Sequence, residues 1–171
     1  MTKSRPHWWP AYVGIGSNLD NPREQVLSAF KALGAIGGSR LIRQSSLYHS
    51  PPLDGSDQPD YVNAAAGMLT QLEPEAFLHE LQAIEKQRGR VRDKARWAAR
   101  TLDLDLLVFG SRKICNDQLT VPHPGIANRS FVLMPLRDVA PTLRIPGLAA
   151  IPELLRKLES SEHVKAVPDN S

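Results

Sequence analysis

A hydrophobic run interrupted at alternate positions by two acids constrains the fold of this chain more than any other feature. From Leu102 to Phe109 the sequence reads LDLDLLVF, in which Asp103 and Asp105 are the only polar residues. An alternation with a period of two predicts a β-strand that places both carboxylates on one face. A strand with one apolar and one polar face is typical of an antiparallel sheet that is packed on one side.

The segments around this strand predict an α+β fold. Strands are expected at 11–15, 40–49, 61–71 and 102–109, and helices at 22–33 and 74–88. Their order, β-α-β-β-α-β, predicts a ferredoxin-like antiparallel sheet with helices packed on one face, while the other face stays open for loops and a site. C-terminal additions are expected as a short strand at 113–115 or 119–121 and as helices in 131–141 and 152–158.

Local signals refine the first helix. Asn21 is a candidate N-cap, Pro22 suits the first helical position, and Glu24 falls where the acid of a capping box belongs. Gly34 then fits the C′ position that ends the helix.

The length of 171 residues predicts a single domain, with a core at 11–141 and flexible ends at 1–10 and 160–171. The net charge of +3 does not favour a general nucleic-acid binder.

Because Cys115 is the only cysteine, no intrachain disulfide can form, and we expect a buried or incidental thiol. No stretch is apolar enough for a signal peptide or a membrane span, so we expect a cytoplasmic protein without a membrane partner. We also expect a monomer.

The paired acids predict a metal site. Side chains at positions i and i+2 of a strand lie about 6–7 Å apart, and two ionised carboxylates at that distance repel by about 2–3 kcal/mol at an effective dielectric constant of ~20. A Mg²⁺ ion, which prefers carboxylate, water and phosphate oxygens, would remove that repulsion. The alternative is an ordinary strand whose outer face is polar.

A basic cluster precedes the acids. It consists of Arg88, Arg90, Arg92, Lys94, Arg96 and Arg100. Together with a metal held by the carboxylates, such cations would neutralise a polyphosphate, although a solvated loop has the same composition. Trp97 in this loop either stacks on a ring or anchors the loop. No P-loop motif is present, so any ATP site is of another kind.

Polar and aromatic residues elsewhere are candidates for contacts with a ring or a phosphate. Tyr61 and Asn63 share a strand face, and the amide of Asn63 suits the edge of a heterocycle on which Phe131 could stack. Packing at the edge of the core is the alternative. His123 lies between two prolines, where histidine is more often structural, but with Arg129 it could also meet phosphate.

Several blocks in fixed order resemble one family. They are GSNL at 16–19, SPPL at 50–53, DQPDYVNA at 57–64, GRVR at 89–92, RTLDLDLLVFG at 100–110, LTVPHP at 119–124 and NRSFVLMPL at 128–136. This pattern resembles 6-hydroxymethyl-7,8-dihydropterin pyrophosphokinase of folate biosynthesis, over about residues 11–141.

That resemblance implies transfer of the β,γ-pyrophosphoryl group of ATP to the pterin hydroxymethyl oxygen, with release of AMP. It implies two Mg²⁺ ions held by Asp103 and Asp105, and catalytic roles for these acids and for Arg90 and Arg100. It places Gln82, Glu85, Arg92, Trp97, Thr120, His123 and Arg129 at ATP. It places Ser50, Pro51, Leu53, Tyr61, Asn63 and Phe131 at the pterin.

Three other functions are compatible with parts of the pattern. An RNA-binding ferredoxin-like domain would use the arginine cluster, but it should not carry acids on the binding strand. A nucleotidyltransferase would also use the paired acids, but it would release pyrophosphate rather than AMP. An inactive relative would keep the fold and lose the reaction. Ala98 and Ala99 keep this alternative open, because they depart from the usual family pattern in the arginine loop.

Overall fold

The computed structural model describes residues 6–89, 101–158 and 165–168. The strands are β1 (Trp9–Ser17), β2 (Ser39–Gln44), β3 (Tyr48–Ser50), β4 (Tyr61–Thr70), β5 (Asp103–Phe109), β6 (Ile114–Cys115), β7 (Thr120–Val121) and β8 (Lys165–Ala166). The α-helices are α1 (Pro22–Gly34), α2 (Pro74–Gln87), α3 (Ser130–Val139) and α4 (Ile151–Leu158), and a 3₁₀ turn covers Ile126–Asn128.

The main sheet is antiparallel and has the order β5-β1-β4-β3-β8, with β2 also paired to β4. Strands β6 and β7 form a separate hairpin, so both segments expected as alternatives for one short strand are strands. The predicted α+β class with an antiparallel sheet is therefore confirmed. Among the described residues, no helix is both long and apolar enough to cross a membrane.

The segment expected as one strand at 40–49 is divided into β2 and β3. Ser45 interrupts it: its backbone N–H donates to the carbonyl of Ala65, and its hydroxyl accepts the Ala65 N–H at 2.8 Å. Because a side-chain oxygen replaces a backbone carbonyl in this pairing, the ladder breaks at Ser45.

The ends of the chain also differ from expectation. Trp9, expected in a flexible end, belongs to β1, and its ring packs against Phe109 at a tilt of 40°, with ring centroids 6.1 Å apart. In the expected flexible tail, β8 pairs with β3, and the Val167 N–H donates to the Leu47 carbonyl. Backbone pairing and aromatic packing hold these segments. The other tail residues lie outside the described ranges.

Helix α1 begins at Pro22 as predicted but without a capping box. Asn21 has a φ of 63° and makes no side-chain capping bond, so Glu24 is simply an acid in the first turn. Gly34 is the last helical residue rather than C′, because Ala35 closes the helix in a right-handed conformation.

Cys115 is exposed rather than buried.

Two clusters of buried apolar side chains cover opposite faces of the sheet. Helices α1 and α2 pack on one face, where the cluster includes Val13 and Leu104. Helix α3 packs on part of the other face and α4 packs against α3 and the 3₁₀ turn, in a cluster that includes Ala65 and Leu107. The second face, expected to stay open, is therefore covered except at one end, and that end holds the candidate site.

Candidate active site

The floor of the site is a row of residues across three strands. Asp103 on β5 is opposite Gly16 on β1, and Gly16 is opposite Asn63 on β4. Directly opposed residues of antiparallel strands point to the same face, and strands are spaced by about 4.8 Å. Since Gly16 has no side chain, a trough about two strand spacings wide separates the carboxylate from the amide.

A second row lies beside the first. Asp105 is opposite Gly14, and beyond it the pairing of β1 and β5 shifts by one residue. Leu104 and Leu106 face α1 and α2, whereas Asp103 and Asp105 are half-buried on the opposite face. The structure thus confirms that both acids share one strand face.

These rows form the bottom of a cavity of about 470 Å³. It brings together ten predicted site residues, namely Ser50, Pro51, Leu53, Tyr61, Asn63, Asp103, Asp105, His123, Arg129 and Phe131. A cavity of this size is typical of a site for a small molecule.

One wall of the cavity is a buried polar pair. Asn63 is 5% exposed and donates from Nδ2 to the Ser50 hydroxyl at 2.8 Å. This bond joins β4 to β3 and fixes the orientation of the Asn63 amide. Tyr61, opposite Ser50, and Phe131, at the start of α3, add aromatic surface to the cavity.

Asn18 and Gln58 are among the residues at the site that were not predicted as site residues. Asn18 is 1% exposed and donates from Nδ2 to the side-chain oxygen of Gln58 and to the carbonyl of Pro59, each at 3.2 Å. Gln58 lines the cavity. These contacts tie the turn after β1 to the loop between β3 and β4, and the GSNL and DQPDYVNA blocks were their signal in the sequence.

The segment that comes directly after β7 in the chain forms another wall of the cavity. The His123 N–H donates to the Leu107 carbonyl at 2.9 Å, which fixes this segment against β5. His123 Nδ1 accepts the Gly125 N–H at 3.1 Å, and Nε2 lies 3.9 Å from Oδ2 of Asp105. With Nδ1 occupied as an acceptor, a neutral imidazole carries its proton on Nε2, toward the carboxylate.

The charge state of His123 follows from its surroundings. Burial lowers the pKa of His123, the Arg129 guanidinium lowers it further, and the carboxylate of Asp103 acts in the opposite direction. The imidazole is therefore neutral near pH 7 and can donate a hydrogen bond from Nε2.

Three predicted ATP residues do not line this cavity. Gln82 and Glu85 lie on α2, and Thr120 is exposed on β7. Glu85 is 3% exposed, and its Oε1 accepts the backbone N–H of Leu104 at 2.7 Å. This oxygen therefore supports β5 between the two acids. Arg90, Arg92, Trp97 and Arg100 lie outside the described residues.

The acids fit a magnesium site completed by substrate. Within the described ranges, no group of three or more His, Cys, Asp or Glu side chains could hold a metal ion. Mg²⁺ in phosphate-transferring proteins commonly takes one or two carboxylates and completes its shell with waters and phosphate oxygens. Asp103 and Asp105, half-buried at the cavity floor, are hard oxygen donors of that kind.

Comparison with known proteins identifies the family. The profile of 7,8-dihydro-6-hydroxymethylpterin-pyrophosphokinase (HPPK) matches residues 12–141. The chain belongs to the HPPK family. The predicted family, and with it the predicted class of enzyme, a pyrophosphokinase, are confirmed.

Two relatives of the HPPK chain are both named 2-amino-4-hydroxy-6-hydroxymethyldihydropteridine pyrophosphokinase. That of Haemophilus influenzae is 45% identical over 92% of this chain and 98% of its own. That of Pseudomonas aeruginosa is 49% identical over 84% of this chain and 88% of its own.

Solved structures support the fold of the HPPK chain. Wild-type HPPK-DHPS of Plasmodium falciparum, crystallised with pteroate, matches 92% of this chain with a TM-score of 0.72 at 14% identity. This chain spans 43% of that protein. At such low identity the likeness extends to the fold and not to the individual site residues.

Proposed function

We propose that this protein transfers the pyrophosphoryl group of ATP to 6-hydroxymethyl-7,8-dihydropterin in folate biosynthesis. The hydroxymethyl oxygen attacks the β-phosphorus, and the bond from that phosphorus to the oxygen bridging the α- and β-phosphates breaks. AMP leaves with that oxygen, the pterin keeps the diphosphate, and the hydroxyl proton is released to solvent. The observation that carries the proposal is one cavity that is lined by the paired acids of β5, by the fixed amide of Asn63 on β4 and by two aromatic side chains.

The pterin side of the proposal rests on Asn63. A pterin edge alternates donors and acceptors, and a primary amide offers both kinds of group. Because Ser50 accepts one N–H of Asn63, the remaining amide groups are oriented before the ligand arrives. Tyr61 and Phe131 would provide apolar surface for the flat ring. Leu53, 47% exposed, lines the same cavity and would cover the ring.

The phosphate side rests on Asp103, Asp105, His123 and Arg129. The two acids would hold two Mg²⁺ ions, which when bound neutralise and orient the triphosphate. Arg129 adds a positive charge, and neutral His123 adds a donor on Nε2. Transfer of this kind needs mainly positioning and charge neutralisation, which fixed side chains provide without a covalent nucleophile.

The remaining predicted roles rest on the family resemblance. Arg90 and Arg100 would stabilise the transferred group, and Arg92 and Trp97 would belong to a loop that closes over ATP. Gln82, Glu85 and Thr120 would lie beside the nucleotide.

Product analysis tests the proposal. The protein is incubated with ATP, Mg²⁺ and hydroxymethyldihydropterin, and we expect AMP and pterin diphosphate in equal amounts. Omitting the pterin should abolish AMP formation, and so should chelating the metal. Release of pyrophosphate would show nucleotidyl transfer instead, and binding of RNA without Mg²⁺ in the absence of any reaction would favour an RNA-binding domain.

Arg100 and Lys94 provide a matched pair for the arginine loop. Arg100→Ala should lower kcat much more than it raises the KM for ATP, because a transition-state contact is absent from the ground state. Lys94→Ala removes a charge from the same loop at a position to which the resemblance gives no role. Equal changes in kcat and KM for Arg100→Ala would contradict a transition-state role.

A further inference from the structure

The loop between β7 and α3 packs the side chain of Arg129 against a glycine. A Cβ built on Gly125 would lie 2.6 Å from Cζ, 2.7 Å from Nε and 3.0 Å from Nη1 of Arg129. Nonbonded carbon atoms do not approach so closely, so the guanidinium occupies the space that any side chain at position 125 would need. Gly125 and Arg129 both line the cavity.

The backbone on both sides of this contact is fixed. The Gly125 N–H bonds to His123, and the Gly125 carbonyl accepts the Asn128 N–H at 3.3 Å. Ile126, 1% exposed, anchors the turn in the core. The carbonyl of Arg129 accepts two N–H groups of the first turn of α3. The guanidinium, at the end of a flexible side chain, is therefore the part that would move if position 125 carried a Cβ.

The backbone angles of Gly125 do not require glycine. Its φ of −88° and ψ of −1° lie in a negative-φ region that residues with a side chain also adopt. A glycine without a conformational reason lowers stability through its unfolded-state entropy. The reason for glycine here is the space above its backbone, which the Arg129 side chain fills.

We propose that Gly125 is a positioning residue, whose bare backbone holds the Arg129 guanidinium at the phosphate side of the cavity. The inference rests on the proposed function and adds to it how the Arg129 guanidinium is oriented. Among the described residues, Arg129 has no carboxylate within salt-bridge distance, so its charge is available to an anionic ligand. The ligand class is the triphosphate of a nucleotide, because the acids that would hold Mg²⁺ line the same cavity.

A double-mutant cycle between Gly125→Ala and Arg129→Ala tests the proposal. Affinity for the nonhydrolysable analogue α,β-methylene-ATP with Mg²⁺ is measured by calorimetry on the full chain. Gly125→Ala should weaken this affinity about tenfold, the loss expected when one charge-assisted contact is misplaced. In the Arg129→Ala background, the same substitution should change the affinity less than about twofold, because the cation it displaces is gone.

Gly37→Ala is the matched control. Nothing lies within 4 Å of a Cβ at Gly37, and it lies outside the cavity, so its affinity should equal that of the wild type. In the ligand-free protein, the Nε–Hε NMR signal of Arg129 should shift in Gly125→Ala and stay in place in Gly37→Ala. This signal reports the side-chain position without ATP or activity.

Two results would overturn the proposal while leaving the proposed function intact. One is unchanged analogue affinity and an unchanged Arg129 signal in Gly125→Ala. The other is an equal loss of affinity with and without Arg129, which would mean that the substitution acts through the loop backbone. If instead the wild-type protein neither binds the analogue nor releases AMP, the proposed function fails, and the phosphate role of this contact fails with it.

Discussion

Glu85 provides the sharpest test of how β5 is held in place. Its carboxylate is buried and accepts the N–H of Leu104, the residue between the two acids. Leu104 is itself 4% exposed, so water has little access to that N–H if the acceptor is removed. We compare Glu85→Gln, which keeps a carbonyl oxygen at the same place, with Glu85→Met, which has a similar length and no carbonyl.

The expected difference in stability follows from the Leu104 N–H, which has no acceptor in Glu85→Met. Both variants remove the negative charge, so the charge-dependent part of any other contact of the carboxylate is lost in both. An unsatisfied buried donor costs about 1–3 kcal/mol, and the apolar side chain of Met offsets part of this cost. The Met variant should therefore be less stable than the Gln variant by about 1–2 kcal/mol, which lowers Tm by about 3–6 °C for a domain of this size.

Thermal and urea unfolding of the ligand-free protein measure this difference. Glu80→Gln and Glu80→Met serve as controls, because Glu80 is exposed on the same helix, and they should differ by less than about 0.5 kcal/mol. If Glu85→Met is as stable as Glu85→Gln, the hydrogen bond to Leu104 does not stabilise the fold, and the reasoning is refuted.

Three further predictions concern the site and the sheet. Asp105→Asn should lower AMP formation by about 100-fold or more with little change in Tm, because a neutral amide is a poor Mg²⁺ ligand; full activity would remove Asp105 from the metal site. Asn63→Ala should weaken pterin binding in calorimetry and leave binding of α,β-methylene-ATP unchanged, and equal losses would contradict a pterin-side role. Burial and a hydrogen bond to Asp138 raise the pKa of Tyr48 from 10.0 to about 12, so its contribution to stability is complete below pH 10 and is lost as the pH rises toward 12. Tyr48→Phe should remove this loss of stability at high pH in urea unfolding. Burial also raises the pKa of Tyr12, so Tyr12→Phe should remove only the part of the loss that is due to Tyr12. A Tyr48→Phe pH profile identical to that of the wild type would contradict the assignment.

The sequence predicted the parts of the fold that depend on periodicity. The alternation from Leu102 to Phe109 placed both acids on one face of a strand, and the structure shows them together on the cavity side. Helix α2 and strand β4 also lie where proline boundaries and spacing put them. These features are local, since each depends on residues a few positions apart in the chain.

The interruptions of regular structure were not visible in the pattern. The break at Ser45 depends on Ala65, twenty residues away, and Ser45 itself resembles any polar residue of a strand. The predicted capping box at Asn21 does not form, because Asn21 adopts a left-handed conformation and makes no side-chain capping bond. Short strand β8 forms because β3 offers an unpaired edge.

The sequence by itself determined that this chain builds a strand with two acids on one face, and its motif blocks determined its family. Only the tertiary structure decided that Gly16 opens a trough between those acids and Asn63, that Glu85 supports β5 from behind, and that Gly125 holds Arg129 in place. The physical reason is the range of the interactions. Backbone periodicity is encoded by neighbours in sequence, whereas a missing side chain or a buried acceptor acquires its role only from what packs against it.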